Sequence, residues 1–144
     1  MSSYLVKNYM GKEIPTIEDM ASATEAAKTM SKAGKGFLIV LKKLHPIGIV
    51  TEHDLVEKLI ASEKDPAKTT VGSIMSSPLI TVDPDEDLLK ASEIMQRNNI
   101  ERLPVVKDEI IYGVLTATDI ARGCSIYVDK ATREIVRWSL PLGV

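Results

Sequence analysis

Apolar positions along the chain change period in a fixed order, and the order is written twice. The stretch "EIPTI" (13–17) reads as a short strand. Ala23, Ala26, Ala27, Met30 and Ala33 then fall at helical spacing, behind the capping pair Ser22 and Glu25. "FLIVLKKLHPIGIV" (37–50) sets two apolar, β-branched runs about a polar turn, which predicts an antiparallel hairpin. "HDLVEKLIASEK" (53–64) returns to a helical pattern, ahead of a linker around "KDPAKTT". From residue 79 the order recurs. "LITV" (79–82) is a strand, and "DPDEDLLKASEIMQRN" (83–98) is a helix burying Leu88, Ala91 and Met95. Its start is predicted with Asp83 as cap, Pro84 at the first helical position and Glu86 as the capping-box partner. "RLPVVKDEIIYGVL" (102–115) is a second hairpin, and a last helix begins after Thr116.

The recurrence is a duplication without gaps. Laid over itself so that Val6 meets Val71, the chain stays in step as far as Asp54 on Asp119. Identical pairs within that span include Met10/Met75, Gly48/Gly113, Thr51/Thr116 and Asp54/Asp119. Two copies are too few for a solenoid. The expectation is an α+β fold of two β-α-β-β-α repeats packed sheet to sheet about a pseudo-twofold axis. The first repeat with its N-terminal segment would occupy 1–65, the second 66–124, and a C-terminal extension 125–144. That extension carries Ile135, Val136 and Trp138 in helical spacing, either packing back on the module or meeting a second copy.

Composition narrows the chemistry. The 144 residues are 44% hydrophobic but only 4% aromatic, so the core must be aliphatic. A net charge of −2, with both signs interspersed, lacks the basic stripe that neutralises nucleic-acid phosphates. One cysteine, Cys124, excludes an intramolecular disulfide, and with only His45 and His53 beside it no metal site is expected. Neither a signal peptide nor a membrane-spanning run is read from the sequence, so a cytoplasmic protein is expected. No nucleophile–base–acid set and no Walker-type glycine loop is present, so no catalytic residues are assigned.

"GIVTEHDL" (48–55) and "GVLTATDI" (113–120) carry the candidate chemistry. Thr51/Asp54 and Thr116/Asp119 have capping-box spacing, which by itself makes them helix starts. A binding reading stands beside it. The turn holds a second polar group, His53 in one copy and Thr118 in the other, able to donate to a phosphate. The aspartate can accept two hydrogen bonds from a ribose diol. Arg102 and Arg122 are either phosphate-reaching arginines or solvated surface charges.

These units, with "RLPVV" ahead of the second turn and the two Thr–Asp motifs, resemble a tandem pair of cystathionine-β-synthase (CBS) domains, the Bateman module. The resemblance covers about residues 4–124. It implies a regulatory module without catalytic activity that binds an adenine nucleotide, AMP, ADP or ATP, in clefts between the repeats, and needs no cofactor. Carried over by motif position, it assigns Thr51, His53 and Asp54 to one site and Thr116, Thr118 and Asp119 to the other. It places Pro15, Thr16 and Ile17 with Gly36, Phe37 and Leu38, and likewise Ile80, Thr81 and Val82 with Arg102, Leu103 and Pro104, around the adenine. It also implies a homodimer; the output is expected to pass to a separate effector protein, or the module serves as a nucleotide reservoir or sensor. S-adenosylmethionine, or a structural interaction module with degenerate clefts, is the alternative. The first copy departs from the pattern, with Ile39 where the second has Pro104 and a turn lacking an acidic residue.

Overall fold

The computed structural model describes residues 4–123 of the chain. The expectations for Cys124 and for residues 125–144 lie outside the described residues.

The first repeat forms a three-stranded sheet in the order β1 (Thr16–Glu18), β2 (Phe37–Lys42), β3 (His45–Thr51). β1 runs parallel to β2, so a crossover must join them, and α1 (Ala23–Ala33) supplies it. Ser22 caps that helix by accepting the Glu25 N–H at 3.1 Å, and Gly34 closes it at φ +66°. Ala23, Ala26 and Met30 pack on Leu38, Val40, Val50 and Leu59. Ala27 and Ala33, expected on the same face, are exposed, so the buried stripe is narrower than the alanine pattern implied. α2 (Glu52–Leu55) follows β3 directly and widens into a π-helical turn over Val56–Ile60. A short helix, α3 (Val71–Ile74), comes next.

The hairpin of the second repeat copies that of the first residue by residue. β4 (Arg102–Lys107) and β5 (Ile110–Thr116) pair Arg102 with Thr116, as β2 and β3 pair Phe37 with Thr51 at the corresponding positions. Both hairpins shift register at the same place, after Val40 and after Val105. Both turn on two left-handed residues, Lys43–Leu44 (φ 50° and 69°) and Asp108–Glu109 (φ 52° and 66°), which matches the twist of the strands. α4 (Leu88–Asn98) buries Leu88, Ala91 and Met95, and residues 117–123 are helical.

Two expectations for this repeat are corrected. The cap of α4 is Asp87, whose carboxylate accepts the Lys90 N–H at 2.9 Å. Asp83 instead accepts the Asp85 N–H at 2.7 Å in a local turn. The helix cannot start earlier because the carbonyls of Pro84 and Glu86 are taken, accepting from Lys7 (3.0 Å) and Val6 (2.8 Å). The strand expected at "LITV" also shrinks to one bridge, Val82 with Val105. In the first repeat β1 is flanked by Ile39 N–H donating to Pro15 and Asp19 N–H donating to Leu41, both at 2.9 Å. The equivalent residues are Pro104 and Pro84, which have no N–H to give.

The compact units are assembled differently from the sequence repeats. Glu13–Ile80 forms one, and the segment ending at Lys12 joins the residues from Thr81 onward in the other. Each lead-in therefore packs on the repeat it does not precede. Leu5 bridges Asp87 and Gly11 bridges Val114, while at the duplicated positions Thr70 bridges Ser22 and Ser76 bridges Ile49. Gly48 and Gly113 allow this approach. A Cβ at Gly48 would sit 2.7 Å from the Ser76 carbonyl oxygen, and one at Gly113 would run into that of Gly11. In the second unit Asp85 ties the lead-in to the hairpin, meeting Lys7 at 2.8 Å and Lys107 at 3.0 Å. The Lys7 and Lys107 ammonium groups hold its carboxyl below the usual carboxylate range, and Asp85 in turn raises Lys107.

Candidate functional site

Strand register brings the first set of candidates to one end of one sheet. Pro15 precedes β1 and accepts from Ile39, Gly36 accepts the Glu52 N–H at 3.0 Å, and Phe37 pairs with Thr51. Thr16 is exposed, Ile17 half-buried and Phe37 buried. Leu38 is fully enclosed in the core behind them, as is Leu103 in the other unit. In that unit Glu101 accepts the Ala117 N–H at 3.0 Å, Arg102 pairs with Thr116, and Val82 and Pro104 are buried. Thr81 is exposed, and Ile80, half-buried, is the last residue of the first unit.

Each Thr–Asp pair closes a reciprocal cap. Asp54 Oδ2 accepts the Thr51 N–H at 2.9 Å and its hydroxyl at 3.3 Å, and the Asp54 N–H donates to Thr51 Oγ1 at 3.4 Å. Asp119 Oδ2 accepts the Thr116 N–H at 2.9 Å, and its own N–H donates to Thr116 Oγ1 at 3.2 Å. The capping reading of the motif is therefore realised in both copies. It occupies Oδ2 alone.

The other oxygen, Oδ1, faces a cation. Lys58 Nζ lies 3.0 Å from Asp54 Oδ1 and 3.0 Å from the Ile74 carbonyl oxygen, to which it donates. Arg122 Nη2 lies 3.2 Å from Asp119 Oδ1 and donates to the Tyr9 carbonyl oxygen at 3.0 Å. Tyr9 and Ile74 are matching positions of the duplication, so both cations join the aspartate to the same point of the exchanged lead-in. The aspartates are sheltered, with side chains 6% and 13% exposed, while Lys58 and Arg122 are 38% and 55% exposed. Asp54 is the one buried charged residue among those described. Sequence reasoning weighed Arg122 but missed Lys58, although Asp54–Lys58 has the i,i+4 spacing of a helical ion pair.

His53 and Thr118 do not play matching parts. Both are exposed, but His53 Nε2 is 2.6 Å from Glu57 Oε2, along its own helix. A shallow pocket of about 260 Å³ in the second unit lies elsewhere, among Met95, Asn99, Ile100, Ala117 and Ile120, and includes neither Thr116 nor Asp119. Among the described residues no cluster of three or more His, Cys, Asp or Glu side chains could hold a metal ion. No helix of the described residues is long and apolar enough to cross a membrane.

Comparison with known proteins bears on what this geometry serves. The CBS domain family matches residues 6–61 and 71–125, two stretches that begin at Val6 and Val71, the lead-in valines paired by the duplication. The chain is 35% identical over 122 residues to an uncharacterized protein of Methanopyrus kandleri, covering 83% of this chain and 62% of that protein. It is 35% identical over 103 residues to the mitochondrial CBS domain-containing protein CBSX3 of Arabidopsis thaliana, covering 68% and 50%. The chain thus spans only half to about three fifths of these curated relatives' length. A hexameric CBS-CP12 protein from bloom-forming cyanobacteria superposes with a TM-score of 0.76 at 29% identity, covering 81% of this chain and 66% of that one.

Proposed function

The chain belongs to the CBS-domain family as a pair of repeats, a regulatory ligand-binding module, and from that premise we propose that its ligand is an adenine nucleotide. The observation that carries this reading is the division of labour at Asp54 and Asp119. The cap uses Oδ2, and Oδ1 is held only by a half-exposed cation. A sheltered carboxylate oxygen that can exchange a cation for hydroxyl groups suits a ribose diol. AMP, ADP and ATP carry that diol, as do other adenosyl compounds, and the resemblance to the family is what points to the adenine nucleotides among them. In this proposal the module acts on a separate effector without catalysing a reaction itself. Ligand that favours one arrangement of the repeats shifts the population toward it.

A homodimer belongs to the same proposal. Val56 and Ile60, one turn apart in the helical stretch after β3, are 57% and 68% exposed, an apolar pair suited to a second copy. Sedimentation velocity of Ile60→Glu against the parent chain checks it, the variant being expected to run as a monomer.

Thermal shift with AMP, ADP, ATP and S-adenosylmethionine tests the ligand. A compound present at 100 times its Kd stabilises the folded chain by about 2.7 kcal/mol. Asp54→Ala and Asp119→Ala should each remove part of the gain. Each variant is read against its own ligand-free melt, because losing a cap costs about 1 kcal/mol by itself. The competing reading, a structural interaction module, has its own support in the full satisfaction of both carboxylates by the chain. If no adenine compound moves the melting temperature, that reading replaces ours.

A further inference from the structure

We infer that Lys58 and Arg122 make the module selective for phosphorylated ligands over adenosine and S-adenosylmethionine, an inference that rests on the adenosine reading of the aspartates. The two cations reach the same atoms from different places in the repeat. The counterpart of Lys58 is Gly123, and the counterpart of Arg122 is Glu57. A Cβ at Gly123 would meet the end of the Leu88 side chain and sit 3.3 Å from the Tyr9 ring, so a side chain there would have to push Leu88 aside. The second copy supplies its positive charge from the preceding residue instead. The cap needs neither cation, because the threonine and Oδ2 complete it. Both copies nevertheless put a positive nitrogen on Oδ1 and on the equivalent lead-in carbonyl.

A ribose diol that donates to Oδ1 competes with that nitrogen for the oxygen. What happens next depends on the rest of the ligand. A phosphate gives the released ammonium or guanidinium a new anionic partner, through charge-assisted hydrogen bonds. Adenosine supplies no such partner, and the displaced cation loses an ion pair. The sulfonium of S-adenosylmethionine adds a positive charge beside it. Partial exposure leaves both side chains free to swing, and each can keep its lead-in carbonyl while doing so. Lys58 has three N–H donors and Arg122 five. Arg122 can grip phosphate with two parallel bonds from its planar guanidinium, a geometry the Lys58 ammonium lacks.

Isothermal titration of the full chain with AMP, adenosine and S-adenosylmethionine tests this. To read one site at a time, Lys58→Met is placed on Asp119→Ala and Arg122→Met on Asp54→Ala. Each cation variant is expected to weaken AMP roughly tenfold or more. Adenosine should stay within about twofold or bind tighter, since Asp Oδ1 no longer has to give up an ion pair. Lys58→Arg should restore AMP. Retained adenosine binding also shows that the variant site is folded. Equal losses for AMP and adenosine, or no loss for AMP, overturn the inference while leaving the adenosine reading intact. If none of the three compounds binds the parent chain, both fall together.

Discussion

The glycine that opens each motif lies beneath the exchanged lead-in, so one added methyl tests the arrangement. A Cβ at Gly48 would be 2.7 Å from the Ser76 carbonyl oxygen and 2.8 Å from Met75 Sδ. The methionine can swing aside. The carbonyl can retreat only by stretching a reciprocal pair of bonds, Ile49 N–H to Ser76 (3.1 Å) and Ser76 N–H to Ile49 (2.8 Å). Two such bonds at about 0.5–1.5 kcal/mol each amount to about 1–3 kcal/mol. Overpacking a tight contact costs about the same, about 1–3 kcal/mol. Gly48→Ala is therefore expected to destabilise by about 2 kcal/mol, lowering Tm by about 4–8 °C for a chain of this size. Gly113→Ala should behave alike, the paired bonds between its neighbour Val114 and Gly11 both being 2.9 Å. Gly34→Ala is the control. Nothing lies within 4 Å of that Cβ, and only the strain at φ +66° is added. Amide exchange separates the cases, because Gly48→Ala should expose the Ser76 amide and Gly34→Ala should not. A Gly48→Ala chain that melts within about 1 °C of the parent, with Ser76 still protected, would refute the packing of the lead-in on the first repeat.

Two further substitutions test other ties. Asp85→Asn removes the partner of both Lys7 and Lys107. Because the Asp85 carboxyl sits below its usual 3.8 when folded, its contribution is complete above that value and fades as pH falls through the lower folded value. Because Lys107 is raised above 10.5, its contribution is complete below that value and fades as pH rises past it. The Tm difference between Asp85→Asn and the parent should thus be flat near neutrality, shrink at both extremes, and diminish with added salt. A difference that grows on acidification would contradict the assignment. Ile39→Pro imitates Pro104 by deleting the N–H that reaches Pro15. It should fold, cost about 1–3 kcal/mol, and loosen β1 in amide exchange. A chain that fails to fold would show that the two repeats are not equivalent at this register.

The elements that could be read in the sequence are those fixed by local chemistry. The hairpins follow from β-branched runs about two-residue turns, and α1 from its cap and its spaced apolar face. The start of α4 could not be read this way. Asp83 and Asp87 are equally good caps in isolation, and the choice falls to Asp87 because a lead-in from the far end of the chain occupies the carbonyls of Pro84 and Glu86. The exchange of lead-ins is invisible to a repeat of constant offset, since either pairing leaves the same periodicity. Gly48 and Gly113 are a local trace of it, but a glycine within a strand marks a bulge as readily as a close backbone approach. The missing strand at Val82, by contrast, was written in Pro84 and Pro104.

At the site the same division holds, and it explains why capping and binding need not compete. Thr51, Asp54, Thr116 and Asp119 were legible from their i,i+3 spacing, the range over which a helix start closes on itself. The cations' second partners were not, because Ile74 and Tyr9 stand well outside the motifs that hold Lys58 and Arg122. The fold thus adds what the motif lacks. One carboxylate oxygen is committed to the cap, and the other to a cation that also holds the lead-in. A ligand that takes the second oxygen leaves the helix start whole and alters only the cation. In the first unit that cation holds the segment leading to the crossing at Ile80, and in the second the segment leading to the crossing at Lys12. A ligand on either aspartate, as proposed, would therefore act on a stretch of chain that joins the two units, a covalent route to the rest of the molecule.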